Sequence, residues 1–139
     1  THVINSSTEN VVARVKEITG GKGVPVVYDG VGQATFMTSL DCLSLRGLLV
    51  SFGNASGPVV GVEPGILASK RSLYVTRPTL GSYIGTEAEM QETAGDLIDV
   101  VQSGKVKIPV NQRYALADVV QAHRDLSGRK TTGTTVLIP

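Results

Sequence analysis

The sequence predicts an α/β fold built on a doubly wound parallel sheet, and three observations support this prediction. Short apolar segments alternate with segments whose apolar residues recur at helical spacing. The segment Val24 to Tyr28 is apolar on both faces, which is typical of strands in sheets covered by helices on both sides. The chain has 16 glycines, which suit the turns that such alternation needs. Strands connected through helices run parallel, so the sheet is expected to be parallel.

The first 80 residues are expected to hold four strands and the helices between them. Thr8 is a suitable cap for the first helix, in which Val11, Val15 and Ile18 recur at i, i+4 and i+7. The second helix is marked by Phe36, Leu40 and Leu43. The four strands are Val3–Ile4, Val24–Tyr28, Leu48–Phe52 and Leu73–Thr76. Arg77 and Pro78 stop the last of them, which is expected at an edge because proline cannot donate to a strand ladder.

The alternation of strands and helices breaks between Leu80 and Gly85. This break predicts two domain parts, residues 1–80 and residues 81–139. Thr86 and Glu89 then form a capping box, followed by an apolar stripe from Met90 to Val101. The remaining expected elements are an extended segment Val106–Val110, a helix from Leu116 to Leu126 that closes near Gly128, and a strand Thr134–Ile138.

Composition and charge exclude several function classes. Lys and Arg number 13 against 12 Asp and Glu, and a net charge of +1 makes nucleic acid an unlikely ligand. Cys42 is the only cysteine, so a disulfide framework and a multi-cysteine zinc site are both excluded. His2 and His123 are the only histidines, which argues against any metal centre. No apolar run reaches the roughly 20 residues of a membrane span.

The turn from Gly30 to Thr35 nearly spells the dinucleotide fingerprint G-x-G-x-x-G, after a strand and before a helix. Its third position is Thr35, and no acidic residue ends the next strand to bind a ribose hydroxyl. Two interpretations follow: a pyrophosphate loop, or a tight turn that still lies at the ligand edge of the sheet. The edge is the stronger argument, because ligands of open α/β sheets bind at the carboxyl ends of strands. Gly30 and Phe52 to Asn54 both follow strands there.

Four stretches of the sequence resemble a known family, in order and at the expected spacing. They are VPVVYDGVG from Val24, SLDCLSLRGLLVSFGNASG from Ser39, GILASKRSLYVTRPTLGSYI from Gly65, and VVQAHRDLSGRKTTGTTVLIP from Val119. These stretches closely resemble the quinone oxidoreductases of the zinc-free, zeta-crystallin-like branch of the medium-chain dehydrogenase/reductase superfamily. The resemblance covers essentially the whole chain.

The resemblance implies that the chain is the C-terminal part of a longer enzyme. Residues 1–80 would supply strands 3 to 6 of a Rossmann-type sheet, and residues 81–139 would be C-terminal elements of the GroES-like catalytic domain. The glycine fingerprint would lie before Thr1, so the turn at Gly30 would follow strand 4. The intact enzyme would be a cytoplasmic homodimer, joined through Leu73–Thr76, that transfers hydride from NADPH to a quinone or a similar conjugated carbonyl. The isolated segment is expected to have little or no activity.

The resemblance also implies which residues contact NADPH. It identifies no residue of this chain as a catalytic acid, base or nucleophile. Ser6 stands where relatives place a tyrosine near the adenosine, and Arg129 resembles an arginine that reaches the cofactor. The full set of expected cofactor contacts is Ser6, Gly30, Val31, Phe52, Gly53, Asn54 and Arg129. The alternative function is a non-enzymatic module that binds a nucleotide or mediates dimerisation.

Overall fold

The computed structural model describes residues 1–139, which divide between Ser82 and Tyr83 into two units. The first unit alternates helices and strands along the chain. Its elements are α1 (Val11–Ile18), β1 (Val24–Asp29), α2 (Phe36–Cys42), β2 (Leu43–Ser51), α3 (Gly65–Ser69), β3 (Tyr74–Thr76) and a 3₁₀ turn (Leu80–Ser82). The three strands form one parallel sheet in the order β1-β2-β3, which confirms the predicted fold class.

The core of the first unit covers one face of this sheet. Leu49, on the central strand β2, is fully buried, and Val27 of the neighbouring strand packs against the same cluster. The other buried members are Phe36, Leu40, Leu43 and Leu73, with Val59, Ile66 and Leu67 packed around them. Successive strand residues point to opposite faces, so Tyr28 lies on the other face, where it is 73% exposed. Helices α2 and α3 therefore contribute to a core on one side of the sheet.

Two expectations for the start of the chain are wrong. Val3–Ile4 forms no strand, because the sheet begins at β1 and no other strand lies beside this segment to pair with it. The first unit therefore holds three strands instead of the four expected. The cap of α1 is Asn10, not Thr8, since Asn10 directly precedes Val11 and its side-chain oxygen accepts a hydrogen bond from the Ala13 N–H at 3.0 Å.

The boundaries of the next elements also differ from the sequence prediction. Leu43 does not extend α2 but begins β2, because it pairs with Val24 of β1. β2 ends at Ser51, so Phe52 already belongs to the loop after it. The third strand starts at Tyr74, while Leu73 is buried in the core. In each case contacts with a neighbouring element decide the boundary, and the local apolar spacing does not.

The second unit contains a two-stranded parallel sheet with a helix connecting its strands. Its elements are α4 (Glu87–Gln102), β4 (Val110–Ala115), a 3₁₀ turn (Leu116–Asp118), α5 (Val119–Ser127) and β5 (Thr134–Ile138). The strand Thr134–Ile138 is confirmed. The expected extended segment is displaced, because pairing with β5 begins only at Val110. No helix in the chain has both the length and the apolar composition that crossing a bilayer requires.

The capping box at the start of α4 is confirmed. The Thr86 side-chain oxygen accepts from the Glu89 N–H at 3.3 Å, and the Glu89 carboxylate accepts from the Thr86 N–H at 2.9 Å. Helix α4 therefore begins with two of its otherwise unpaired N–H groups satisfied.

Replacing Thr86 by alanine is expected to lower the stability of α4 by about 0.5–2 kcal/mol, because alanine offers no acceptor at the cap. Thr93→Ala, in the exposed interior of the same helix, is the control and is expected to be neutral or slightly stabilising. Thermal unfolding followed by circular dichroism measures both. Equal midpoints for the two variants would contradict the capping role.

Candidate functional site

The loops that follow β1 and β2 are joined along their length at the carboxyl edge of the sheet. We call residues 30–35 the β1 turn and residues 52–57 the β2 loop. The Phe52 N–H donates to the Asp29 carbonyl at 2.9 Å, and the Ser56 N–H donates to the Val31 carbonyl at 2.8 Å. The Ser56 hydroxyl also donates to the Val31 carbonyl at 2.8 Å and accepts from the Ala34 N–H at 2.9 Å. The two segments therefore form one continuous surface.

Glycines allow the backbones of these two segments to approach each other. A Cβ atom on Gly53 would lie 2.2 Å from the Gly30 carbonyl oxygen, and one on Gly32 would lie 2.7 Å from the Gly57 oxygen. Gly32 also has a φ of 90°, a conformation that is unfavourable for residues with a Cβ atom. The glycines in the expected cofactor set are thus needed first for contact between the segments.

Asp29 is the buried polar centre of this edge. It is 5% exposed, and its carboxylate accepts hydrogen bonds from the N–H groups of Val31 at 2.8 Å and Gly32 at 3.0 Å. The hydroxyls of Thr35 and Ser39 each donate to its second oxygen at 2.7 Å. Burial alone would raise the pKa of Asp29, but these hydrogen bonds together outweigh it and the pKa is lowered. The carboxylate is therefore ionised at neutral pH.

The lowered pKa of Asp29 predicts a specific pH dependence of stability. An ionised Asp29 stabilises the fold fully above the pKa of the unfolded chain, near 3.8, and this stabilisation is lost as the pH falls through the lower folded-state pKa. Asp29→Asn is expected to lower the free energy of unfolding by about 1–3 kcal/mol at neutral pH. As the pH is lowered, the stability of this variant should fall less than that of the unmodified chain.

Urea unfolding between about pH 7 and pH 3 tests this prediction, with acidification spanning the ordinary pKa range of aspartate. Asp96→Asn, on the exposed surface of α4, is the control and should keep the pH profile of the unmodified chain. A profile for Asp29→Asn that parallels the unmodified chain down to the lowest pH would show that Asp29 contributes no acid-sensitive stability.

The structure brings together five of the seven residues predicted to contact the cofactor. These are Gly30, Val31, Phe52, Gly53 and Asn54, all in or beside the two joined segments. The Phe52 ring lies over Gly30, where a Cβ atom would approach it to 3.0 Å, and remains 55% exposed. Val31 is 41% exposed. An apolar ring and an apolar side chain are thus presented to solvent at the edge where ligands of such sheets bind.

The other two predicted residues lie elsewhere in the chain. Ser6 is exposed in a turn that precedes α1, and no hydrogen bond joins it to the β1 turn or the β2 loop. Arg129 belongs to the second unit, directly after the Gly128 cap of α5, in a left-handed conformation with a φ of 55°. It is exposed, and its guanidinium makes no hydrogen bond or ion pair.

Two residues that shape the edge were not among the predicted contacts. Asp29 anchors the β1 turn, and the Arg77 guanidinium donates to the Ser51 carbonyl at 2.7 Å, linking the segment after β3 to the end of β2. Arg77 also lines a cleft of about 290 Å³ beside Asn54 and Val75. The sequence does hold a signal for Asp29: an aspartate ends a strand before a glycine turn, Thr35 directly precedes the following helix, and Ser39 lies four residues further on.

The chemistry of this edge fits an uncharged ring better than a metal or a nucleophile. No three His, Cys, Asp or Glu side chains converge anywhere in the 139 residues. Cys42 is buried, and burial raises the pKa of its thiol, which disfavours the reactive thiolate. Gln33, Asn54 and Ser56 are polar and exposed here. Two apolar side chains face solvent beside them, those of Val31 and Phe52. They can pack against and orient a planar ring.

Comparison with known proteins decides the family. A family model described as zinc-binding dehydrogenase matches residues 1–137. The chain belongs to this family. A quinone oxidoreductase from Pseudomonas aeruginosa is 58% identical over 136 residues, which cover 98% of this chain and 42% of that protein. The resemblance to the quinone oxidoreductase branch is therefore confirmed.

Solved structures of this branch share the fold. A quinone oxidoreductase from Escherichia coli complexed with NADPH matches with a TM-score of 0.93 and 53% identity, over 99% of this chain and 43% of that one. One from Pseudomonas syringae pv. tomato matches with a TM-score of 0.90 and 57% identity, over 98% of this chain and 42% of that one. The dehydrogenase family member described here thus spans about two fifths of the length of the relatives it matches.

Proposed function

We propose that this dehydrogenase family member forms the C-terminal part of an NADPH-dependent quinone oxidoreductase. The observation that carries the proposal is the joined β1 turn and β2 loop, which present Val31 and the Phe52 ring at the carboxyl edge of a parallel sheet. Bound NADPH would supply a hydride for a quinone or a similar conjugated carbonyl. The part of this chain is to bind and orient the cofactor, with Gly30, Val31, Phe52, Gly53 and Asn54 at the sheet edge and with Ser6 and Arg129 as further contacts.

The proposal assigns each unit to a domain of the longer enzyme. Residues 1–80 would be the second half of the Rossmann-type domain, and residues 81–139 would be C-terminal elements of the catalytic domain. Strand β3 is the edge of the sheet opposite β1, and the exposed Tyr74 and Val75 side chains lie on it. An unpaired edge strand can pair with that of a second copy, so β3 would join a cytoplasmic homodimer.

Complementation tests the proposal. NADPH is titrated into the 139-residue chain alone and into the chain mixed with the segment of the Pseudomonas aeruginosa relative that precedes the matched region. We expect weak binding and little quinone-dependent NADPH oxidation by the chain alone, and both binding and oxidation after complementation. Robust oxidation by the chain alone would overturn the expected inactivity. Tight NADPH binding by the chain alone, with no oxidation after complementation, would favour a non-enzymatic nucleotide-binding module.

A further inference from the structure

The turn after α5 holds a left-handed residue that is not glycine. The Arg129 N–H donates to the Leu126 carbonyl at 3.1 Å, and the Lys130 N–H donates to the Asp125 carbonyl at 3.0 Å. These two bonds form a Schellman motif, in which the left-handed position is usually a glycine. Here Arg129 occupies that position with a φ of 55°, although Gly128 directly precedes it. An unfavourable conformation is thus adopted by an arginine whose side chain is exposed.

The side chain of Asp125 ties this turn to the rest of the second unit. Its carboxylate accepts a hydrogen bond from the Tyr114 hydroxyl of β4 at 3.0 Å and one from the Gln121 amide of α5 at 3.0 Å. The same carboxylate forms an ion pair with the Lys130 ammonium at 3.3 Å. The hydrogen bonds, that of Gln121 first, lower the pKa of Asp125, so it is ionised at neutral pH. One side chain therefore joins β4, α5 and the residue that follows Arg129.

Only one of the two adjacent cations in this turn is neutralised. Lys130 pairs with Asp125, whereas the Arg129 guanidinium has no ion-pair partner. The backbone on the other side of Arg129 is held as well, because the Gly128 N–H donates to the Arg124 carbonyl at 2.8 Å. A planar guanidinium can bind a phosphate group through two parallel N–H bonds. The turn therefore offers one cation, on a fixed backbone, to an anionic ligand.

We propose that Asp125 is a positioning residue, which fixes the turn after α5 so that the Arg129 guanidinium meets a phosphate group of NADPH in one arrangement. The inference rests on the proposed function, in which Arg129 is a cofactor contact, and adds to it a residue that acts through Arg129. Its physical basis is that a turn ordered in advance loses less conformational freedom when the ligand binds. The alternative is that both residues only stabilise the end of α5, where a cation also complements the helix dipole.

The 139-residue chain tests the positioning step with inorganic pyrophosphate as the probe, followed by NMR at the Nε–Hε resonance of Arg129. We expect a saturable shift in the unmodified chain and binding weaker by about three- to tenfold in Asp125→Ala. Tyr114→Phe removes only the hydroxyl that holds Asp125, so it should weaken binding in the same direction even if Asp125→Ala does not fold.

Asp118→Ala is the matched control for this titration. Asp118 is an exposed carboxylate at the start of α5, and its side chain makes no capping hydrogen bond. It should bind pyrophosphate as the unmodified chain does. The absence of a shift at Arg129 in the unmodified chain, or equal binding by the unmodified chain and Tyr114→Phe, would overturn the proposal.

A double-mutant cycle separates positioning from a purely structural role. The chain is mixed with the preceding segment of the Pseudomonas aeruginosa relative and titrated with NADPH and with reduced nicotinamide riboside, which carries no phosphate. Asp125→Ala should weaken NADPH binding by about three- to tenfold and leave riboside binding unchanged. In the Arg129→Ala background it should have no further effect, because the two residues act as one unit. Additive losses, or equal losses for both ligands, would overturn the proposal.

Arg129→Gly distinguishes a binding role of the arginine from a stabilising one. Glycine readily adopts the left-handed conformation, so the thermal unfolding midpoint should stay the same or rise, while NADPH binding should weaken. A lower midpoint with unchanged NADPH binding would overturn the proposal. If the complemented protein binds neither NADPH nor the riboside, the proposed function fails, and the pyrophosphate titration still decides whether Asp125 positions Arg129.

Discussion

Gly53→Ala is expected to separate the β1 turn from the β2 loop and to lower the free energy of unfolding by about 3 kcal/mol. The added Cβ atom would lie 2.2 Å from the Gly30 carbonyl oxygen and 2.7 Å from the Gly30 Cα. Both atoms belong to backbone, so no side-chain rotation relieves the overlap, and one segment must move away from the other. The hydrogen bonds from Phe52 to Asp29 and from Ser56 to Val31 would lengthen or break.

Urea unfolding measures the loss of stability, and amide NMR reports on the contact between the two segments. Gly65→Ala is the matched control, because a Cβ atom at Gly65 meets nothing within 4 Å and its backbone is not left-handed. The control should change stability by less than about 0.5 kcal/mol. Equal stability of the two variants would mean that the close approach of Gly30 and Gly53 is not required for the fold.

Leu49→Ala is expected to lower the free energy of unfolding by about 2–5 kcal/mol, because buried apolar surface is lost and a cavity remains. Leu49 is completely buried at the centre of the β1-β2-β3 sheet and pairs with Val27 on one side and Val75 on the other. Its side chain belongs to the same cluster as Phe36 and Leu40 of α2. Shortening it therefore weakens the contact between the sheet and the helix that follows the β1 turn.

Leu45→Ala is the control for this second prediction. Leu45 lies on the same strand but is 63% exposed, so the same change in chemistry should alter stability by about 0.5 kcal/mol or less. Chemical unfolding compares the two variants directly. Similar losses for both positions would show that the cluster around Leu49 does not carry the stability of the first unit.

The fold class was predictable because its signals are local. The strand predicted at Val24–Tyr28 and the capping box at Thr86 each depend on residues close in sequence, and both are confirmed. The expected cover on both faces of that strand is not found, because Val26 and Tyr28 are exposed. The failures concern contacts between distant residues. Val3–Ile4 has strand-like composition, but a strand needs a neighbour that sequence spacing does not reveal. Leu43 fits the period of α2, yet pairing with Val24 places it in β2.

The candidate site was predictable to the same extent. The position of Gly30, Phe52 and Gly53 after strands is enough to place them at the carboxyl edge of a parallel sheet. The role of Asp29 was not predictable, because it depends on hydrogen bonds that form only once the turn and α2 are folded. The Arg77 contact with the Ser51 carbonyl joins residues 26 positions apart and has no signal in the pattern of either segment.

The way the two segments join has a consequence for the order of folding. The bonds that close the edge connect residues 22, 25 and 27 positions apart: Ala34 with Ser56, Val31 with Ser56, and Gln33 with Val60. None of these bonds can form before β1 pairs with β2. The chain segment between the two strands must therefore close first. The edge formed by the β1 turn and the β2 loop is therefore expected to assemble together with the sheet, and unfolding should remove both in a single transition.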